Sequence, residues 1–304
     1  MTGVIDSARS GLSARLRQRL IGEASPTGGW AYYAGKRPRI EATAWALLAL
    51  ADTSDLGPAA WQLFAAPHLA FLAQCQQPDG LMVDGPGMFP NVTSNAIAAC
   101  VLTHLSDGAS PVLTPLLNGL LTIKGVKLDV DNGQQNNQLQ GWPWMVTTFS
   151  WVEPTAWCIL ALKTARMKGR LGDARIKEAE LLLANRSCAI GGWNFGNASV
   201  LGQDLRPYVP TSALGLIALQ DRRDDPVVSR GLAYLDGARL NERSAMALSL
   251  VALCLRIYGK PVDDVEQRLA EDVDRIDRIG NFHTMAMALY ALEADRHQLK
   301  ALRA

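Results

Sequence analysis

Two glutamates open runs that otherwise hold almost nothing polar: Glu41 in EATAWALLAL and Glu153 in EPTAWCILAL. A histidine, His283, opens a third such run, HTMAMALYAL. A carboxyl group among apolar side chains resists ionisation, and an acid that keeps its proton near neutral pH can deliver it to a substrate. An imidazole exchanges protons in the same range. These residue types point to proton transfer, with Glu153, Glu41 and His283 as the candidate catalytic groups. The plainer account is a first-turn carboxylate favoured by the helix dipole, worth about 0.3–1 kcal/mol, and for His283 a satisfied core or capping residue. Pro154 has no N–H, so one backbone donor beside Glu153 is already gone, which weakens the capping account. The acid also recurs at one position in two runs while the other runs do without it.

If the runs are helices, the first, fifth and eighth residues of each share a face. That face carries Glu41, Trp45 and Leu48 in the first run and Glu153, Trp157 and Leu160 in the third. In the last it carries His283, Met287 and Tyr290, and two further runs add Leu214, Ile217, Leu248 and Val251. Such a lining, apolar and aromatic with titratable groups at one rim, suits a greasy ligand with one polar or reactive end. Tryptophan faces also attract a cation, by about 0.5–2 kcal/mol each. The competing account makes Trp45 and Trp157 core filling. GWPWMVTTFSW, residues 141–151, carries Trp144, Phe149 and Trp151 and is long for a hairpin connection, so it is expected to cap the mouth beside Glu153.

Six runs recur, beginning at Glu41, Val92, Glu153, Pro210, Ser244 and His283. The fourth and ninth positions are alanine in five of the six. None has a polar stripe, so these helices must be buried on every side. Between them, residues 8–22, 58–77, 110–124, 174–187, 226–238 and 262–278 mix charge with apolar residues at helical spacing and read as surface helices with one buried face. A closed inner ring wrapped by an outer ring buries the apolar set on both faces. The expected fold is all-α: one (α/α)6 toroid of six hairpins, a single domain spanning residues 1–304.

PHLAFLAQCQQPDGLM and ELLLANRSCAIGGW, with partial copies at Gly28–Trp30 and Gly141–Trp142, resemble the glutamine–tryptophan repeats of the squalene–hopene cyclase and protein prenyltransferase superfamily. Phe71, Leu72, Gln76 and Gly80 fit the first repeat, with Met82 in place of tryptophan; Leu183, Gly191, Gly192 and Trp193 fit the second, with Ser187 in place of glutamine. The resemblance implies the toroidal scaffold and an isoprenoid-like ligand. Class II cyclases of this superfamily open an inner helix with DxDDTA, whose middle acid protonates the polyene. Glu41, and by the same alignment Glu153, fall on that middle acid, without its flanking aspartates. His283 resembles the histidine of the prenyltransferase zinc site, but the chain contains no Asp-x-Cys. Trp30, Trp142 and Trp193 read as loop staples rather than ligand contacts.

The remaining features narrow the partners. A formal net charge of +1 offers no field to recruit nucleic acid. The five cysteines (Cys75, Cys100, Cys158, Cys188 and Cys254) form no CxxC and fall largely in apolar runs, so reduced thiols in the cytoplasm are expected, with no metal and no cofactor. The first residues lack a signal-peptide core and no apolar run reaches membrane-spanning length. Asp129 and Asp131, in LDVDNGQQNN, lack the further ligands of a calcium loop and read as a solvated turn. Arg9, Arg15, Arg17 and Arg19 open the expectation of peripheral contact with anionic lipid, against the plainer one of a solvated helix face. Three functions remain in view: a cyclase-like enzyme, a non-catalytic lipid-binding or partner-docking toroid, and a sugar hydrolase using the two glutamates, for which the lining is too apolar.

Overall fold

The computed structural model describes residues 2–51, 56–106, 110–129, 135–166 and 172–304. Six helices carry the apolar runs: α2 (Ile40–Ala51), α4 (Val92–Leu105), α6 (Val152–Arg166), α8 (Val209–Ala218), α10 (Ala245–Ile257) and α13 (Phe282–Leu292). Each starts within one residue of the position read from the sequence. They pack in that order and α13 returns to α2, so the ring closes. Burial on every side follows: in α4 every residue from Val92 to Thr103 is buried.

The outer helices are α1 (Thr2–Gly22), α3 (Pro58–Gln74), α5 (Leu113–Thr122), α7 (Asp173–Asn185), α9 (Pro226–Ala238) and α11 (Asp263–Glu271). They lie on α13, α2, α4, α6, α8 and α10 respectively. Each buries one stripe; α9, for instance, buries only Val228, Gly231 and Leu235. The fold is thus an all-α (α/α)6 toroid. The sequence reading of one outer helix over 262–278 is corrected: Asp272 divides it into α11 and α12 (Val273–Ile279). A short α14 (Ala294–His297) follows α13.

The tryptophans of the repeats staple outer to inner helices. The indole N–H groups of Trp30, Trp142 and Trp193 donate to the carbonyls of Leu20, Leu120 and Leu183, each 2.7 Å away in the last turn of an outer helix. Their backbone N–H groups donate, at 2.9 Å, to Thr43, Thr155 and Ser212 in the first turn of an inner helix. These bonds explain why the runs begin with Thr-Ala or Thr-Ser. Where Met82 replaces the tryptophan, the side chain of Asn95 bonds the Met82 N–H and C=O, at 2.7 and 2.9 Å. Gln76 bridges to the Gly80 and Val112 carbonyls, both at 2.9 Å. Gly80 itself sits at φ 86°, and a Cβ there would lie 2.2 Å from the Pro115 carbonyl oxygen, so only glycine permits this approach.

Arg15 of α1 pairs with Asp274 at 2.5 Å, Arg17 lies 3.5 Å from Glu293, and Arg19 pairs with Glu23 at 2.9 Å. These three arginines therefore meet acidic partners within the fold, and Arg17 is itself buried. The side chain of Arg9, like Asp131, lies outside the described residues, and Asp129 is exposed. Among the described residues no helix is long and apolar enough to cross a membrane. All five cysteines are buried and unpaired.

Candidate functional site at the mouth of the inner ring

Backbone bonds tie the helix starts together on one face of the ring. The first N–H of α6 donates to the Phe195 carbonyl at 2.8 Å, that of α4 to Trp144 at 3.2 Å, and that of α13 to Tyr32 at 2.9 Å. The first N–H of α2 donates to the Asp84 carboxylate at 2.8 Å. In each case the acceptor lies in the loop that leads into the next inner helix of the ring. Side chains in the first turns and in these loops therefore share one mouth.

Glu41 sits in the first turn of α2 and accepts a short hydrogen bond from the Tyr32 hydroxyl. Its other oxygen is 3.6 Å from His283 Nε2. The Tyr32 ring stands edge-on to the His283 ring, 5.9 Å between centroids. Burial, with the negative charge of Glu41 close by, drives the Tyr32 phenol well above its ordinary value. Burial pushes the His283 imidazole down, and Glu41 opposes this. His283 Nε2 is buried without a hydrogen-bond partner, so a neutral ring is held with one nitrogen free for a further contact.

Glu153 occupies the matching turn of α6. Burial, reinforced by the charge of Glu41, pushes its carboxyl up to about 7, while a hydrogen bond from the Trp144 side chain works the other way. Trp144 is fixed by stacking on Trp151 at 4.6 Å and 24°. Phe149 packs on Trp151 at 4.4 Å, and Phe195 lies 5.9 Å from Trp144. The aromatic connection thus gathers beside Glu153. One wall of the mouth is indole and phenyl.

Below the acids, Trp45 and Trp157 meet edge to face, 5.7 Å apart at 82°. Helices α2 and α6 are separated by α4 in the ring, so the two indoles meet inside it. Trp45 also lies 6.0 Å from Tyr290 and 6.2 Å from His283. Leu48, Leu160, Met287, Tyr290 and Leu214 are all buried in the inner ring. At this level the bore holds two indoles, and the titratable groups sit on top of them.

The structure therefore brings Glu41, Glu153, His283, Trp45, Trp157, Trp144 and Trp151 to one end of the toroid. Trp30, Trp142 and Trp193 lie apart, as staples. The residue that reading the sequence missed is Tyr32. A signal for it exists: Trp30, Tyr32, Glu41, Thr43 and Trp45 recur at identical spacing as Trp142, Trp144, Glu153, Thr155 and Trp157. Tyr32 and Trp144 hold one position of this repeat, and both donate to the glutamate of their own unit. Among the described residues no three metal-ligating side chains gather.

The chain is similar in structure to the type II terpene cyclase MstE from Scytonema in its apo form, with a TM-score of 0.64 at 12% identity over 95% of this chain and 98% of that one. The fold is terpene-cyclase-like. A variant of the same cyclase in complex with merosterolic acid A, its product, matches with a TM-score of 0.61 at 12% identity, over 98% of this chain and all of that one. A Beta-1,3-1,4-glucanase from Paenibacillus sp. X4 matches with a TM-score of 0.55 at 11% identity, over all of this chain and 93% of that one. No family model and no curated protein matches the sequence. At these identities the likeness establishes the toroid, and two different chemistries occur on it.

Proposed function

We propose that this chain, as one domain in a reducing cytoplasmic setting, is a cyclase-like enzyme that transfers a proton to an isoprenoid or similarly hydrophobic ligand at the mouth of the toroid. One observation carries the reading: at a shared mouth, Glu153 is a carboxyl that keeps its proton close to neutral pH, beside the negative charge of Glu41. Glu153 is the proton donor, to an alkene or an epoxide. The cation so formed lies toward the indole faces of Trp45 and Trp157, which stabilise positive charge. The neutral His283 ring, or the Glu41 carboxylate, takes a proton back, so an isomerisation closes without any other reactant. Trp144 and Trp151 cover the ligand, and Leu48, Leu160, Leu214, Met287 and Tyr290 support the floor. The rim suits such a ligand, because the loops entering the inner helices expose Phe89, Met145, Val146 and Leu201. Neither metal nor cofactor is part of this reading.

A second reading, a lipid-binding or partner-docking toroid without catalysis, is favoured by the Trp45–Trp157 contact, which leaves the ligand only the space above the indoles. A glucan-hydrolase reading is disfavoured by the scarcity of polar groups around the two glutamates. The deciding experiment incubates parent and Glu153→Gln protein with linear isoprenoid alkenes and epoxides, analyses the products by gas chromatography and mass spectrometry, and extracts any co-purified lipid. Products lost in the variant support the enzyme. Intact ligand retained by both proteins supports the binding module. Turnover that survives in both Glu153→Gln and Glu41→Gln refutes the assignment of the acids.

A further inference from the structure

The two repeat units that carry the glutamates are built alike and finished differently. Staple tryptophan, donor, glutamate, threonine and floor tryptophan hold the same spacing in both. In one unit the donor is the Tyr32 hydroxyl, backed by His283 3.6 Å from the far oxygen of Glu41. In the other it is the Trp144 indole, clamped on Trp151 at 4.6 Å. A phenol can pass its proton along a short hydrogen bond and can rotate its O–H; an indole N–H is a fixed donor only. Glu41 thus has a short phenol bond on one oxygen and an imidazole 3.6 Å from the other, whereas Glu153 faces an indole.

We propose that Tyr32 and Trp144 are paired positioning residues that fit the two glutamates for separate roles, Tyr32 fixing the Glu41 carboxylate in place and Trp144 orienting Glu153 as the group that delivers the proton. The inner helices on either side of α6 supply no charge of their own at the mouth. The first turns of the inner helices flanking α6 hold Val92, Thr93 and Ser94 on α4 and Val209, Pro210 and Thr211 on α8, none of them titratable. α10 begins with Ala245 and Met246. Around the mouth the titratable groups are Glu41, Glu153, His283 and Tyr32, with Asp84 and Arg39 acting on Tyr32 and with Tyr208, Glu242 and Arg243 in the loops before α8 and α10. The asymmetry of the pair therefore comes from its two donors and from His283.

This inference deepens the reading of Glu153 as the acid, yet its test needs no ligand, so either can fail alone. The protein is labelled at the glutamate carboxyl carbons, and Glu153 is titrated by NMR in the full chain, its signal assigned by loss in Glu153→Gln. Trp144→Phe keeps the stack but deletes the donor, so the Glu153 midpoint should rise from near 7 by about one pH unit. Tyr32→Phe frees the Glu41 carboxylate to swing away from Glu153, so repulsion across the mouth weakens and the Glu153 midpoint should fall by about half a unit to one unit. Glu41→Gln removes the repelling charge outright and should lower that midpoint at least as far, which gives a reference variant that does not depend on Tyr32→Phe folding well. Opposite shifts from two conservative aromatic changes are not what a purely structural role produces. An unmoved midpoint in Trp144→Phe, or a rise in Tyr32→Phe, overturns the proposal.

Discussion

Replacing Glu153 with glutamine should stabilise the protein at alkaline pH and leave it nearly unchanged in acid. Burial and the Glu41 charge lift the Glu153 carboxyl from an ordinary value of 4.5 to about 7 in the folded chain. Between those two values the folded state binds more protons than the unfolded state, so the stability present below 4.5 is lost as pH rises through 7. Each pH unit of that interval corresponds to about 1.4 kcal/mol, which sets a ceiling of about 3 kcal/mol on the cost of ionising Glu153 in place. Its side chain is partly exposed, and water screening lowers the expected cost to about 2 kcal/mol. Glutamine keeps the size and the acceptor for Trp144 while removing the ionisation. Urea denaturation of parent and Glu153→Gln at pH 4.5 and pH 8, compared as a difference, cancels every other titration in the chain. The variant should match the parent within about 0.5 kcal/mol at pH 4.5 and exceed it by about 2 kcal/mol at pH 8. A helix-capping glutamate predicts the reverse, a loss on substitution of about 0.5–2 kcal/mol wherever the acid is charged. A pH-independent difference, or a parent more stable than the variant at pH 8, refutes the burial reasoning.

Other consequences can be checked separately. Trp142→Phe keeps the ring but loses the 2.7 Å bond to the Leu120 carbonyl, so it should cost about 1–2 kcal/mol in denaturant titrations; a neutral result means the indole N–H is not a staple. Lys163, buried on α6, lies 2.7 Å from Glu180 and 2.5 Å from Asp221, and its ammonium donates to the Ala218 carbonyl at 2.9 Å. Lys163→Met should cost about 3–5 kcal/mol, and Lys163→Met with Glu180→Leu should recover part of it, because Glu180 is otherwise left with only Arg222 at 3.5 Å. Burial lowers the His283 imidazole, so the stability it contributes is present above its ordinary 6.5 and lost as pH falls below it. His283→Gln should therefore flatten the acid side of the stability curve, read by thermal melts between pH 5 and 7; an unchanged slope means the ring is protonated in the folded state.

The inner ring was legible because burial on all sides erases the polar stripe, and six runs without one can only pack inside something. Its register was legible too, since Thr43, Thr155 and Ser212 mark first turns by the bonds they accept from the staple tryptophans. The break at Asp272 was not. Residues 262–278 keep an apolar spacing straight across it, and the backbone N–H of Asp272 still reaches Arg268 at 3.1 Å, so the pattern carries no mark of the division. The acids were found from their place in the repeat. Their partners were harder to see, because Tyr32 lies in a loop, where helical spacing says nothing about who meets whom. Comparing the two units residue by residue would have found it, since Trp144 had already drawn notice as an aromatic excess beside Glu153. The meeting of Trp45 and Trp157 inside the ring was out of reach for a different reason: face assignment says that both residues point inward but not how wide the ring is.

The same helix turn thus hosts two glutamates in unlike surroundings. The N-terminus of an apolar helix favours a negative charge by about 0.3–1 kcal/mol, whereas burial beneath an aromatic wall opposes it more strongly at Glu153, whose carboxyl rises to about 7 despite the dipole and the Trp144 bond. Glu41, in the equivalent turn, has a phenol and an imidazole facing it. Were both acids held as Glu41 is, the mouth would carry two charges above an apolar floor and would repel a greasy ligand. Were both held as Glu153 is, no fixed charge would stand opposite a forming cation. The proposed pairing of a proton source with an anion over two tryptophans requires that the repeat be broken at its donor position, and Tyr32 against Trp144 is where the two units differ.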